Sequence, residues 1–247
     1  MPDTNVDVIE RTKELADRVD DITIDDKLGW SYNPLQYAWD VHRAYIGKYG
    51  SDKKRAVYLG MNPGPWGMGQ TGVPFGDPFI VGDDMGFRGI NVDNPENERE
   101  EREVLGWESD REEGSGQRLY SYFKDQYGSL DAFFEDQFII NYCPLLMFTP
   151  DGNNLTPSNL LKADRLKIYE ACDPYLNDMI ESYEPEVLVG IGKFALERLE
   201  AVAGESSIPI MDIPHPSPAS PIATRDGGQY WINLVTETLS EHNLLDH

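Results

Sequence analysis

The sequence predicts an α/β fold, because four short apolar runs of strand character alternate with helical patterns and each run ends at a turn or a proline. The chain of 247 residues is 40% hydrophobic and 11% aromatic, enough to bury one sizeable core. No internal repeat, low-complexity tract or interdomain linker interrupts it. A single domain over residues 1–247 is expected.

The elements follow in order. Residues 6–20 place Ile9, Ala16 and Val19 on one helical face, and residues 35–46 repeat the pattern with Leu35, Ala38, Trp39, His42, Tyr45 and Ile46. These amphipathic helices, within residues 1–50, are expected to pack on the rest of the domain. Arg55–Gly60 has the apolar look of a buried strand and stops in a Gly/Pro-rich stretch from Gly60 to Gly76. Residues 94–114 hold nine acidic and three basic side chains with little periodicity, which predicts an exposed acidic insertion. Further buried strands are expected at Gln137–Asn141, Glu186–Ile191 and Ile208–Ile213. Helical spacing runs through Tyr169, Cys172, Leu176, Met179 and Ile180, then Phe194, Leu196, Leu199 and Val202, and finally Trp231, Leu234, Val235 and Leu239.

Composition narrows the classes. No apolar run approaches the roughly 20 residues of a membrane span, and Met1–Asp20 is charged throughout rather than built as a signal peptide. A soluble, cytoplasmic protein is expected, with no membrane partner. Cys143 and Cys172 are the only cysteines, which excludes zinc ribbons, four-cysteine iron–sulfur clusters and a disulfide framework. The net charge of -23 runs against the basic footprint usual in nucleic-acid binders. Its 44 acidic residues are scattered along the chain, as on a surface adapted to a salt-rich cytoplasm. At 1 M salt the Debye length is about 3 Å, so repulsion from phosphate fades beyond direct contact.

The stretch Gly60-Met-Asn-Pro-Gly-Pro-Trp-Gly-Met-Gly-Gln-Thr-Gly-Val-Pro-Phe-Gly76 is the most informative. Its glycines let backbone approach a ligand, its prolines stiffen the loop, and Asn62 and Phe75 supply one polar and one stacking group. Those features suit a small planar ligand. A Walker A loop would need Gly-Lys-Ser/Thr, and a dinucleotide turn would need a helix-forming run after it; neither is present. A zinc nucleobase deaminase is excluded too, since His-x-Glu and Pro-Cys-x-x-Cys are absent.

This segment closely resembles motif 1 of the single-strand-selective monofunctional uracil-DNA glycosylases. The resemblance extends in the family's order through Val104-Leu-Gly-Trp-Glu108, Ser115-Gly-Gln-Arg118, Asn141-Tyr-Cys-Pro-Leu145, Asn154-Leu-Thr-Pro157, Leu188-Val-Gly-Ile-Gly192 and His215-Pro-Ser-Pro218. It implies a four-stranded parallel sheet between helices, no cofactor or metal, and hydrolysis of the N-glycosidic bond of uracil in single- and double-stranded DNA without a lyase step. 5-Hydroxymethyluracil is an expected further substrate. The alternatives are a preference for deaminated purines, xanthine or hypoxanthine, and a catalytically idle damaged-base sensor; retention of both Asn62 and His215 argues against the latter.

The resemblance also assigns roles. Asn62 matches the water-positioning asparagine, His215 the histidine that meets the leaving base, and Asn141 the asparagine that reads it. Phe75 matches the stacking aromatic, and Gly60, Met61 and Gly64 fall on the floor of the base pocket. Each has an ordinary reading: an Asx-turn for Asn62, core for Phe75 and Met61, backbone satisfaction for Asn141. His42, His242 and His247 keep a structural or solvated reading. After His215-Pro-Ser-Pro218 the vertebrate members continue Arg-Asn-Pro, where this chain has Ala219-Ser220-Pro221. Without the arginine, Ser217, Ser220, Ile222 and Arg225 become the candidates for DNA contact, with Ile222 as an apolar wedge. The expected partner is DNA carrying uracil or related damage, the expected state a monomer associated with a prokaryotic nucleoid.

Overall fold

The computed structural model describes residues 4–25 and 27–245, so the His247 expectation lies outside the described residues. Four parallel strands form the central sheet: β2 (Ala56–Gly60), β3 (Gln137–Asn141), β6 (Val187–Ile191) and β7 (Ile210–Ile213), in the spatial order β3-β2-β6-β7. Every residue of β2, β3 and β6 is buried, which is why these strands read as unbroken apolar runs rather than alternating ones. The observed strands start one or two residues inside the expected Arg55, Glu186 and Ile208 boundaries, and Arg55 and Glu186 form an ion pair at the amino ends of the adjacent strands β2 and β6.

Helices flank the sheet. α1 (Thr4–Asp20) buries Val8, Thr12, Leu15, Ala16 and Val19 and packs on α7 (Lys162–Tyr183). Ile9, expected on that face, lies only at its margin. The expected 35–46 helix is two: α2 (Pro34–Tyr37) and α3 (Trp39–Tyr49) break at Ala38. α3 meets α6 (Leu130–Asp136) through an aromatic cluster in which Tyr49 stacks on Phe134 at 4.3 Å and Tyr45 on Phe138 at 4.9 Å. Such pairs add about 0.5–1.5 kcal/mol each beyond their buried area. α5 (Gly114–Tyr127), α8 (Lys193–Ala203), α9 (Pro221–Thr224) and α10 (Gln229–Glu241) complete the layers.

A second, antiparallel sheet joins β1 (Trp30–Tyr32), β4 (Leu146–Phe148) and β5 (Asn154–Leu155) in the order β1-β4-β5. It stands beside the Gly/Pro-rich loop and carries Trp30 stacked on Phe148 at 5.1 Å. The acidic 94–114 segment is largely exposed, yet it is anchored rather than simply solvated. Val104 is buried, the Arg99 guanidinium lies 4.3 Å from the Trp30 ring, and Arg111 lies 4.2 Å from Trp66.

The chain leaves β2 towards β3 on one side, and β6 lies on the other. Open parallel sheets bind ligands beyond the strands' carboxyl ends at such a reversal. Here the loop from Gly60 to Gly76 leaves the end of β2 and returns the Phe75 ring to that strand end.

Candidate active site

Three of the four central strands deliver a polar side chain to this crevice. Asn141 is the last residue of β3 and pairs in register with Gly60, the last of β2; Asn62 follows β2 by two residues, and His215 follows β7 by two. A Cβ on Gly60 would sit 2.2 Å from Asn141 Oδ1 and 2.6 Å from Phe75 Cε2. Only glycine therefore lets the amide and the ring share the strand end.

The Asn141 amide is buried, and its Nδ2 donates to the Met68 sulfur at 3.2 Å. Its Oδ1 is buried without a hydrogen-bond partner. Leaving such an acceptor unpaired costs about 1–3 kcal/mol, a cost that a donor on a bound base would remove. Asn62 Nδ2 donates to the Leu145 carbonyl at 3.2 Å, and among the described residues nothing donates to its Oδ1, which is left to accept from another group.

Phe75 is buried with φ of +58°, a left-handed conformation uncommon for a bulky residue. Its neighbours hold it there: Tyr120 donates to the Pro74 carbonyl at 2.7 Å and Thr71 to the Gly76 carbonyl at 2.6 Å. The Phe75 and His215 rings face each other at 6.0 Å, inclined by 45°. The loop is pinned further along. Tyr37 donates to Gly69 at 2.6 Å and His42 Nδ1 to Gly72 at 2.7 Å, while the Gln70 amide bonds Pro65, Glu103, Leu105 and Gly106. The loop contains one helical turn, α4 (Met68–Thr71).

The His215 ring is fixed from its own turn, where the Ser217 N–H donates to Nδ1 at 3.2 Å. Nδ1 is thus an acceptor, and the neutral ring carries its proton on Nε2. Burial pushes its pKa down to about 4, so the ring is uncharged at neutral pH. The Trp231 indole donates to the Pro214 carbonyl at 2.6 Å, and the Arg118 guanidinium donates to the Pro216 carbonyl.

Met61 and Gly64 are both half-buried. Met61 accepts from the Cys143 N–H at 2.9 Å through its carbonyl, and its sulfur accepts from Ser158. Gly64 faces the Glu113 carboxylate, which caps α5 by accepting from Gly116 N–H at 2.7 Å; burial pushes that carboxyl up. Sequence reasoning gave no role to Met68, Glu113, Arg118 or Trp231. Met68 and Arg118 carried a signal, in the Gly60–Gly76 and Ser115-Gly-Gln-Arg118 runs, and Trp231 was read only as part of a helical face.

The candidate DNA contacts are placed unevenly. Ile222 is 42% exposed on α9 and free to meet a ligand. Ser217 Oγ accepts from Ala219 N–H at 3.2 Å, and Ser220 N–H donates to the Ser217 carbonyl at 2.8 Å, so both serines build the turn. Arg225 is exposed but engaged, 3.6 Å from Asp226 and 4.3 Å from the Tyr230 ring.

No group of three or more His, Cys, Asp or Glu able to hold a metal occurs among the described residues. A sequence model of the uracil DNA glycosylase superfamily matches residues 47–236, which takes in Asn62, Phe75, Asn141 and His215 together. The chain belongs to the uracil-DNA glycosylase superfamily. It is 35% identical over 239 residues to the single-strand selective monofunctional uracil DNA glycosylase of Bos taurus, covering 96% of this chain and 86% of that one. The Rattus norvegicus counterpart is 37% identical over 239 residues, with 96% and 84% covered. In fold it is similar to the crystal structure of wild-type Pedobacter heparinus SMUG2, with a TM-score of 0.71 at 19% identity over 98% of this chain and 99% of that one. As a superfamily member it is a DNA glycosylase, a hydrolase acting on N-glycosyl bonds.

Proposed function

We propose that the chain excises uracil from single- and double-stranded DNA by hydrolysis alone, and accepts 5-hydroxymethyluracil in the same pocket. The observation that carries this reading is the unpartnered Asn141 Oδ1 buried at the sheet's carboxyl edge, within the reach of one ring from Phe75 and His215. A uracil stacked on Phe75 presents N3–H to that oxygen and O4 to the second Nδ2 hydrogen of Asn141. Cytosine reverses the order of donor and acceptor and leaves buried groups unpaired.

As the glycosidic bond breaks, the sugar becomes oxocarbenium-like and the base gains negative charge. His215, neutral with its proton on Nε2, donates to uracil O2 and stabilises that charge without first being ionised. Asn62 Oδ1 accepts from the attacking water; an amide is a weak base, but the sugar cation needs a positioned water more than a strong one. Ile222 enters the stack when the base leaves it, and Ser217, Ser220 and Arg225 face the phosphates.

The chain works as one domain and as a monomer, in a salt-rich prokaryotic cytoplasm. One apolar cluster extends from Val8 on α1 to Leu244, no described helix is long and apolar enough to cross a membrane, and the net charge is -23. The test is release of free base from labelled oligonucleotides containing uracil, 5-hydroxymethyluracil, hypoxanthine or xanthine, in both strand contexts. Release confined to the purine substrates overturns the uracil reading.

A further inference from the structure

Acids outnumber lysine and arginine 44 to 21 on this chain, and nearly every cation is accordingly spoken for. Lys53 ends on Glu184, Arg88 on Asp83, Lys124 on Asp84 and Arg198 on Asp173. Others donate to carbonyls, as Arg102 does to Gly152, or lie over rings, as Arg99 does over Trp30. Among the described residues, Lys162, Arg165 and Lys193 are the cations whose charged ends meet no acid, carbonyl or ring.

All three line one groove of about 400 Å³, between the first turns of α7 and α8, with Glu197 as the one acid among its lining residues. Their neighbours on the same helices are neutralised: Lys167 is held by Asp164 and Asp25, and Arg198 by Asp173. The groove also receives the amino ends of both helices, whose unpaired N–H groups favour an anion.

The groove begins where the base pocket ends. Ser158 on its wall donates to the Met61 sulfur at 3.4 Å. On the other side, Gly192, next to Lys193, lies so near His215 that a Cβ would sit 3.1 Å from the histidine's own. Tyr142, next to Asn141, packs edge-on against Tyr169 and Phe194 of the groove, with ring centroids 6.1 Å and 5.6 Å apart.

We propose that this groove holds the phosphodiester backbone of one DNA strand beside the extruded nucleotide, with Lys162, Arg165 and Lys193 meeting its phosphates. The proposal rests on the glycosylase reading and gives it the cationic track that Ser217, Ser220 and the engaged Arg225 do not supply. A groove of this volume is on the scale of a small-ligand pocket, which admits one strand and not a duplex. On a chain of net charge -23, long-range attraction cannot gather DNA, so affinity has to come from local cations that are not already ion-paired.

The test compares two triple variants of equal charge change: Lys162→Ala/Arg165→Ala/Lys193→Ala, and Arg43→Ala/Lys53→Ala/Lys124→Ala as a control remote from the groove. The probe is a fluorescein-labelled single-stranded oligonucleotide carrying a tetrahydrofuran abasic analogue, titrated by anisotropy across a potassium chloride series. Removing one cation from a phosphate should lower the salt slope by about 0.7, so the groove variant should fall by about 2 in slope and bind on the order of 10-fold or more weaker than the control. Uracil release measured below saturation should fall in step with the affinity of the groove variant and stay near the wild-type rate in the control. If the groove triple fails to fold, Lys162→Gln and Lys193→Gln, both at exposed positions, should each lower the slope by about 0.7. Equal affinity and slope for groove and control variants overturn the proposal. Wild-type protein that binds the probe through the groove but releases no uracil instead overturns the glycosylase reading and leaves the groove standing.

Discussion

The Ser217 N–H donates to His215 Nδ1 at 3.2 Å, and this one bond decides which end of the imidazole faces outward as a donor. The bond is made within the His215-Pro-Ser-Pro218 turn itself, while Arg118 and Trp231 hold that turn from α5 and α10. Tautomer and position are therefore set by separate contacts.

His215→Ala should lower uracil release by on the order of 100-fold or more, the cost of removing one transition-state donor, while binding of abasic product DNA persists. The wild-type rate should be flat from pH 6 to 8, because burial holds the His215 pKa down at about 4 and no proton is taken up in that range. A single-turnover rate profile checks both. An inflection near pH 6.5 that vanishes in His215→Ala would show that an imidazolium is the acting species.

Asn141→Asp should release cytosine, since a carboxyl oxygen can accept from the cytosine amino group where the amide Nδ2 cannot. Gly60→Ala tests the same contact from below. Its Cβ, 2.2 Å from Asn141 Oδ1, must push the amide out of register, and displacements of about 1 Å can cost on the order of 100-fold in rate. Assays on uracil and cytosine oligonucleotides read both variants. Unchanged uracil activity in Gly60→Ala would show that the amide is not held against the strand end.

His42 should make stability fall in mild acid. It is buried, its Nδ1–H donates to the Gly72 carbonyl, and burial pushes its pKa from 6.5 down to about 4. Between those values the unfolded chain binds more protons than the folded one, so stability is full above pH 6.5 and is lost as pH falls towards 4. The loss is on the order of 3 kcal/mol at 1.36 kcal/mol per unit. His42→Asn should be less stable at pH 7 yet show a shallower fall between pH 6.5 and 4.5 in denaturant titrations. Parallel curves for the two proteins would remove His42 as the cause.

The four central strands were legible because burial on both faces leaves a plain apolar run, as at Gln137–Asn141. β1, β4 and β5 were not, because two or three residues carry no period and their pairing is long-range: Trp30 opposes Phe148. α5 was also hidden, since it opens Gly114-Ser-Gly116. Gly116 is there because a Cβ would sit 1.7 Å from the Phe75 carbonyl oxygen, a packing demand that overrides helix propensity. At the site, Asn62, Phe75, Asn141 and His215 were legible through their motifs, whereas the supports from Arg118 and Trp231 arrive from elements far along the chain. The Lys162, Arg165 and Lys193 groove was hidden in the net charge, a sum that cannot show which cations lack partners.

Salt response probes how an acidic chain meets DNA at all. A basic DNA-binding protein loses affinity steadily as salt rises, because each phosphate it neutralises releases counterions. This chain starts from a net charge of -23, so at low ionic strength it should be repelled by DNA before any local contact forms. Added salt first shortens that repulsion, from a Debye length of about 30 Å at 0.01 M to about 10 Å at 0.1 M, and only later weakens the few contacts made at short range. Uracil release should therefore pass through a maximum at elevated salt. The same screening relieves repulsion among the acidic surface groups, so the thermal midpoint should rise over the same range. Titrating single-turnover rate and melting temperature against potassium chloride on one oligonucleotide reads both. Activity that falls monotonically from the lowest salt, with an unchanged melting temperature, would overturn the salt-adapted surface and leave the acidity unexplained by the environment.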